Sequence, residues 1–424
     1  MSALDRRRFL QTSAASVAAL SAVTAAGAAD KPSEKIVMAV LGVHGRGRGL
    51  LSGFSSFEDV EIAAVCDPDE NVIAKALKSI NQRQKRQPKV LKDLRRVFED
   101  RDIHAVAIAA PDHWHALATI WACQAGKHVY VEKPISHNLN EGRRMIEAAR
   151  KHDRIVQVGT QRRSGAHFQS AAEFVRSGKL GKVPFVRTWI AGNRPSIGHK
   201  KDGPVPVGVD YDLWLGPAPQ RAFNPNRFHY NWHWNWDYGT GELGNNGIHM
   251  LDVARMVVGL EAPKTISCGG GKLYYDDDQR TPDTQVVVYD FPGTTVIWEH
   301  RIWSKTGVEG EGSGVILYGE KGTLVFDRKG WHVHDGIEAS DKASPIETPH
   351  LRNFIDCVRS HKRPNADLEE GHKSTRLCHL GNIAYRVGRR LAFDASTETL
   401  PNDAAANQLL GRTYRAPFVV PEKV

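Results

Sequence analysis

The sequence predicts an α/β protein in two parts: a doubly wound parallel sheet of the Rossmann type over residues 35–160, then an α+β domain over residues 161–424 with an open, mostly antiparallel sheet. Three observations predict it. Short β-branched runs alternate with helical patterns as far as Gly159, the rhythm of a parallel sheet covered on both faces. A glycine-rich turn follows the first of those runs at once. Beyond residue 260 strand-like runs succeed one another with few helices between them.

Residues 1–30 precede the fold and read as a targeting signal. Arg6-Arg7-Arg8-Phe9-Leu10 leads into an alanine-rich stretch from Ala14 to Ala26, with no charge between Thr12 and Ala29. Ala26-Gly27-Ala28 then offers a small-residue cleavage site. This resembles a twin-arginine export signal, which implies a periplasmic or otherwise exported protein. The stretch is too weakly apolar for stable membrane insertion. Because that route moves folded proteins, a cofactor can be loaded before export. Outside the cytoplasm a dinucleotide has no obvious free pool, so the expectation is a cofactor held through many turnovers and recycled in place.

At 424 residues the chain is long enough for two domains with cores of their own. The formal net charge is +9, but the basic residues are scattered apart from Lys78–Arg96, which reads as a solvated helix face. No zinc-finger spacing and no basic run interleaved with aromatics is present, so no nucleic-acid partner is expected. The five cysteines (Cys66, Cys123, Cys268, Cys357, Cys378) are far apart and contain no CxxC pair, which excludes a disulfide scaffold or a thiolate metal site.

Taken in order, Lys35–Leu41 reads as a buried parallel strand and Val60–Cys66 as the second. Ala105–Ala110, His128–Glu132 and Ile155–Gly159 are further strands, and Asn140–Lys151 is a helix between two of them. The turn Gly42-Val43-His44-Gly45-Arg46-Gly47 lets the backbone approach a pyrophosphate at a helix N-terminus. His44 stands where the usual motif has its middle glycine, and Gly45 can supply the close approach instead. Asp67 ends the second strand, where a carboxylate accepts from ribose hydroxyls and repels a 2′-phosphate. NAD is therefore expected ahead of NADP, although Arg46 and Arg48 offer phosphate contacts.

Ala109–His115 (AAPDHWH) and Val129–Pro134 (VYVEKP), with the glycine turn, resemble the glucose–fructose oxidoreductase, inositol dehydrogenase and rhizopine-catabolism (Gfo/Idh/MocA) family. The resemblance implies NAD(P)-dependent hydride transfer at a hydroxyl carbon of a sugar or sugar derivative, with Lys133 between nicotinamide and substrate. Glu132, Pro111 and His115 then fall beside the cofactor. Chemistry supports the lysine separately: at a strand's carboxyl end it can bind a reacting hydroxyl and stabilise the alkoxide that precedes hydride loss. Asp112 is expected to cap the following helix.

In the second domain Phe168–Ser177, His350–Ser360 and Thr375–Leu391 read as helices. Val183–Ala191, Thr265–Cys268, Thr284–Tyr289, Thr295–Arg301, Val315–Tyr318 and Gly322–Phe326 read as strands. Such a sheet, as the family has it, implies a homo-oligomer, a dimer or a tetramer. Arg162, just after the first domain, is expected at the substrate. The densest segment is Asn231–Asp252. The family places an aspartate four residues before a histidine on one helix face; here the histidine is His249 and the earlier position is Asn245. His249 can act as acid or base, Asn245 can orient a hydroxyl, and Asp237, Glu242 or Asp252 can replace the missing carboxylate. Trp232, Trp234 and Trp236 alternate, as one face of a strand or as stacking platforms for sugar rings. With Asp237 they complete the substrate candidates. His229 and His233 raise a metal, but the acidic residue of an HExxH arrangement is missing, and no metal is expected. A redox-neutral glycosidase or lyase, working through a transient keto-sugar, is the competing activity. A sugar sensor without catalysis is a third reading.

Overall fold

The computed structural model describes residues 35–80 and 84–424, so the export-signal reading of residues 1–30 lies outside the described residues. The first half follows the predicted rhythm: β1 (Ile36–Leu41), α1 (Arg46–Phe54), β2 (Val60–Cys66), α2 (Glu70–Ile80), β3 (Lys89–Leu91), α3 (Leu94–Glu99), β4 (Ala105–Ile108), α4 (Asp112–Gln124), β5 (His128–Val131), α5 (Leu139–Lys151) and β6 (Val156–Val158). The strands form one parallel sheet in the order β3-β2-β1-β4-β5-β6. β4, β5 and β6 are buried throughout, as strands covered on both faces must be. The chain changes direction across the sheet between β1 and β4, which opens a crevice at their carboxyl ends. α5 shows why such helices form here. Asn138 caps it by accepting from Glu141 N, and Arg150 and Lys151 occupy its last turn.

The second half adds α6 (Ala166–Arg176), β7 (Phe185–Ala191), α7 (Tyr211–Leu215), α8 (Ile248–Val258), β8 (Thr265–Gly271), β9 (Thr284–Phe291), β10 (Thr294–Arg301), β11 (Ser313–Gly319), β12 (Gly322–Asp327), β13 (Gly330–His334), β14 (Ser340–Lys342), α9 (Glu347–Ser360), α10 (Leu368–Val387) and β15 (Leu391–Ala392). Nine strands form its sheet, all antiparallel to their neighbours except the pair β7/β10. One face buries Val287, Tyr289, Val296, Trp298 and Leu317 against α6, α8 and α10. On the opposite face Val286 is exposed.

The last quarter of the chain returns to the first sheet. Leu351, Phe354, Ile355 and Val358 of α9 share a core with Ile36, Met38 and Val40 of β1 and with Leu50, Leu51 and Phe54 of α1. A Cβ on Gly53 would come within 2.5 Å of Leu351 Cδ1, so glycine lets these helices touch.

Some expectations are corrected. Lys78–Arg96 is not one helix face: it runs from the end of α2 through β3 into α3, and its charges are paired locally, Arg86 with Glu61, Lys89 with Asp100 and Lys92 with Glu70. The alternating tryptophans do not form a strand. His229–Trp234 is a 3-10 helix, and Trp236 follows it in irregular backbone. The last long helix begins at Leu368 and ends at Val387, and Leu391 belongs to β15.

Candidate active site

A cleft lies at the carboxyl ends of the first sheet's strands, between Gly42, Gly45, Asp67, Pro111, Glu132 and Lys133 on one side and Trp214, His229, Trp232, Asn245 and His249 on the other. The turn after β1 is built to meet a phosphate backbone. Gly42 has φ 79°, and a Cβ there would lie 2.7 Å from Ala109 O. A Cβ on Gly47 would fall 1.8 Å from Gly42 O. Gly45, at φ 50°, faces open space at the N-terminus of α1, where free backbone N–H groups and the helix dipole favour an anion. These residues fit a dinucleotide: glycines fill the close approaches, and the one open position sits at the helix end.

Asp67 is buried, with one carboxylate oxygen accepting from Val43 N at 2.9 Å and the other from Asp69 N at 3.0 Å. Burial pushes its carboxyl up to about 6 against those two bonds. His44 is exposed and packs against His229, whose Nε2 lies 2.9 Å from Asp69 Oδ2. His229 belongs to a long segment of the second domain bonded to the loop after β2. Asn71 Nδ2 donates to Val207 O, Glu70 N to Gly208 O, and Asp210 N to Pro68 O. The Asp67 end of the cleft is thus strapped by the chain itself.

Arg46 does not hold a phosphate in this arrangement. Its Nε donates to Glu132 at 2.7 Å and its Nη2 pairs with Glu347 at 2.8 Å. Burial would raise the Glu132 carboxyl, but Arg46 and Lys133 outweigh it and hold it below the ordinary carboxylate range. A Cβ on Gly159 would sit 2.6 Å from this carboxylate, so glycine makes the room. His115 lines the cleft, but its ring nitrogens lie 2.7 Å from Pro134 O and from Ala110 O; it braces the strand ends. Asp112 is the first residue of α4, and its side chain does not cap the helix. Its Oδ2 accepts from Thr240 Oγ1 instead, Oδ1 has no partner, and burial pushes the carboxyl up to about 8.

The substrate end is organised by Lys133. Its Nζ donates to Asn245 O at 2.7 Å and lies 3.4 Å from Asn245 Oδ1. Asn245 stands in a π-helical turn, Leu243–Gly247, that leads into α8. Its amide is oriented by Glu242, which accepts from Asn245 Nδ2 at 3.3 Å, from Asn246 Nδ2, and from Arg194 at 2.8 Å. His249 follows four residues later, with its Nδ1 buried and unpartnered. Burial, and then the charges of Lys133, Arg162 and Arg46, hold its imidazole well below the usual range, so the ring is neutral.

Of the predicted residues, the cleft brings together Gly42, His44, Gly45, Arg46, Asp67, Pro111, His115, Glu132, Lys133, Asn245 and His249. Gly47 and Arg162 are outside its lining: Gly47 packs closely on Gly42 O, and the Arg162 guanidinium lies against Met250 and Phe168. Trp234 is buried under the Arg194 guanidinium and offers no platform. Trp236 lies beside Tyr385 and Arg386, outside the cleft lining. Asp237 is paired with Arg221 at 2.5 Å. Asp252 is held by Arg163 and Ser374 and cannot serve His249; of the three candidate carboxylates only Glu242 reaches Asn245. The histidine pair does not converge: His229 meets Asp69, whereas His233 bonds Tyr230 O and stacks on Trp232. Among the described residues no group of three or more potential ligands could hold a metal ion, and no helix is long and apolar enough to cross a membrane. Sequence reasoning missed Trp214 in the lining; it stands on the short helix α7, whose one local signal is the capping residue Asp210.

With this geometry in view, two family profiles match the chain: "Oxidoreductase family, NAD-binding Rossmann fold" over residues 36–160 and "Oxidoreductase family, C-terminal alpha/beta domain" over residues 193–420. Myo-inositol 2-dehydrogenase of Thermotoga maritima is 27% identical over 243 residues, 56% of this chain and 61% of that protein. Glycosyl hydrolase family 109 protein 2 of a Shewanella species is 30% identical over 205 residues, 43% of this chain and 45% of that protein. The chain therefore matches less than two thirds of either relative's length. In fold it is similar to aldose-aldose oxidoreductase from Caulobacter crescentus, with TM-score 0.66 and 21% identity, over 85% of this chain and 100% of that one.

Proposed function

The chain belongs to the Gfo/Idh/MocA oxidoreductase family and is an NAD-binding enzyme, and on that premise we propose that it transfers a hydride at a hydroxyl carbon of a sugar, with a cofactor it holds and recycles in place. The observation that carries the reading is the placement of Lys133 Nζ beside Asn245, with the unpartnered Nδ1 of His249 on the same cleft. Bound NAD supplies the hydride acceptor. Lys133 would hold the reacting hydroxyl and stabilise the alkoxide; Asn245, fixed by Glu242, would set the direction of that bond; the unpartnered Nδ1 of His249 would receive the proton during the transfer. The two relatives act on a cyclic polyol and a glycoside by name, which supports a carbohydrate. We also assign it export by the twin-arginine route, on Arg6-Arg7-Arg8 and the alanine-rich stretch. The part of the second sheet's opposite face that stays exposed, around Val286, is assigned to a dimer or tetramer.

A second reading is a redox-neutral glycosidase or lyase, in which transient oxidation acidifies a neighbouring C–H, elimination breaks the glycosidic bond, and the hydride returns. The likeness to a glycosyl hydrolase family 109 protein favours it; the strap over the Asp67 end suits both readings, since neither cycle releases the cofactor. The deciding experiment is mass spectrometry and absorbance on protein purified without added cofactor, followed by exposure to sugars and aryl glycosides. Near-stoichiometric NAD(H) whose redox state responds to free sugars supports the oxidoreductase. Aryl release with no net change of the bound NAD selects the second reading. Protein that neither carries nor binds NAD or NADP overturns both.

A further inference from the structure

His229 comes from the second half of the chain, yet its ring lines the Asp67 end of the cleft. Phe228 packs on it at 4.0 Å and His44 at 4.6 Å between ring centres, and its Nε2 lies 2.9 Å from Asp69 Oδ2. Asp69 is itself fixed, since its Oδ1 accepts from Asn71 N and from Asn71 Nδ2. The His229 backbone stands at φ 48°, in the left-handed region that residues with a Cβ seldom adopt. Such a conformation persists where the surroundings impose it, and it gathers at ligand sites.

These contacts decide which ring nitrogen carries the proton. A carboxylate oxygen only accepts, so Nε2 donates to Asp69. Burial first, and then His44, hold the imidazole below its ordinary range, so a second proton is absent at neutral pH. Nδ1 is therefore a lone-pair acceptor, held in place by the ring's other contacts, and it makes no hydrogen bond among the described residues. Asp67 adjoins the same loop: its Oδ1 accepts from Asp69 N and its Oδ2 from Val43 N, and each oxygen keeps a further lone pair. Lys92, in the same lining, is already paired with Glu70. This end of the cleft thus offers acceptors, one from the first sheet and one from the second domain. What suits it is an uncharged group with two neighbouring donors, which is the chemistry of a ribose diol.

We propose that His229 is a dinucleotide-binding residue, whose Nδ1 accepts a hydrogen bond from one hydroxyl of the adenosine ribose of NAD while Asp67 takes the other. The second domain then reads the cofactor as well as covering it. The proposal concerns NAD binding alone and holds whichever reaction the cleft performs.

The test is a competition with no sugar present. The full chain is equilibrated with NAD and an analogue lacking the 2′- or the 3′-hydroxyl of the adenosine ribose, and the bound ratio is read by mass spectrometry. In His229→Phe the preference for NAD over one of the two analogues should fall roughly 10-fold, the loss expected for one hydrogen bond, while the preference over the other stays as in wild type. His229→Asn, which can still accept, should keep part of it. A strap that only loosens weakens NAD and both analogues alike and leaves these ratios unmoved. Should the variants fail to fold, unmodified protein carrying 15N in its histidines answers the same question. One imidazole should show a bare Nδ1 whose signal moves on binding NAD and one analogue, and stays in place with the other. Unchanged ratios in His229→Phe, an equal fall for both analogues, or histidine signals that respond alike to NAD and both analogues overturn the proposal.

Discussion

Lys133, Asn245 and Glu242 form a chain in which each group fixes the next, and each link makes a different demand. Replacing Lys133 by Met removes the group that stabilises the alkoxide; kcat should fall on the order of 10²- to 10⁴-fold, while NAD remains bound on purification. Full activity in that variant would remove Lys133 from the chemistry. Asp112 makes a stability prediction. The unfolded chain releases this proton near the ordinary value of 3.8 and the folded chain near 8. Between those values the unfolded state binds fewer protons, so this residue lowers stability as pH rises, and its effect levels off above about 8. Asp112→Asn cannot ionise and can still accept from Thr240. Its melting temperature relative to wild type should climb from pH 4 to pH 8; a constant difference would show that the carboxyl ionises normally. Lys133 was legible in the sequence because Glu-Lys-Pro follows a strand. The choice among Asp237, Glu242 and Asp252 was not, because it depends on Arg221 and Arg163, distant in sequence from the carboxylates' own helix turn or brought in from another element.

At the level of elements, the strand–turn–helix unit around Gly42 was readable almost residue by residue, since β-branched runs and glycines act locally. Gly47→Ala would place a Cβ against Gly42 O, so the turn must open. Bound NAD should be lost on purification while the far-UV spectrum is kept; retained NAD would mean that the turn absorbs the side chain. The strap is the opposite case. Residues 193–210 carry no periodic pattern; Ser196–Lys200 are held by Asp277 and Asp278, and Val207–Asp210 by bonds to Pro68, Asp69, Glu70 and Asn71. Such pairings have no signature in the sequence of either partner. The same is true of the 3-10 helix at His229–Trp234, where three alternating tryptophans imitate a strand. His229→Ala removes the contact to Asp69 and the packing on His44. Release of bound NAD, followed by trapping with an excess of a second dinucleotide, should quicken by roughly 10-fold, a loss of one to two kcal/mol. An unchanged release rate would detach the strap from retention.

For the whole molecule, the order of the two sheets was legible, but the path of the last quarter was not: α9 reads as any amphipathic helix, and only the folded chain puts its Leu351, Phe354 and Ile355 under the first sheet. The Rossmann part therefore does not end, in packing terms, at residue 160. Residues 36–160 produced alone should expose the faces of β1 and α1 that α9 covers, and should melt without a cooperative transition or aggregate. A sharp melt would make α9 dispensable. The strap has a kinetic consequence at this same scale. An enzyme whose dinucleotide leaves after each turnover forms a ternary complex, and its double-reciprocal plots intersect. Here the chain itself bridges the Asp67 end, while Lys133 and His249 line the other end of the cleft. A reductant and an oxidant must then visit one vestibule in turn, and initial rates against one at several concentrations of the other should give parallel lines.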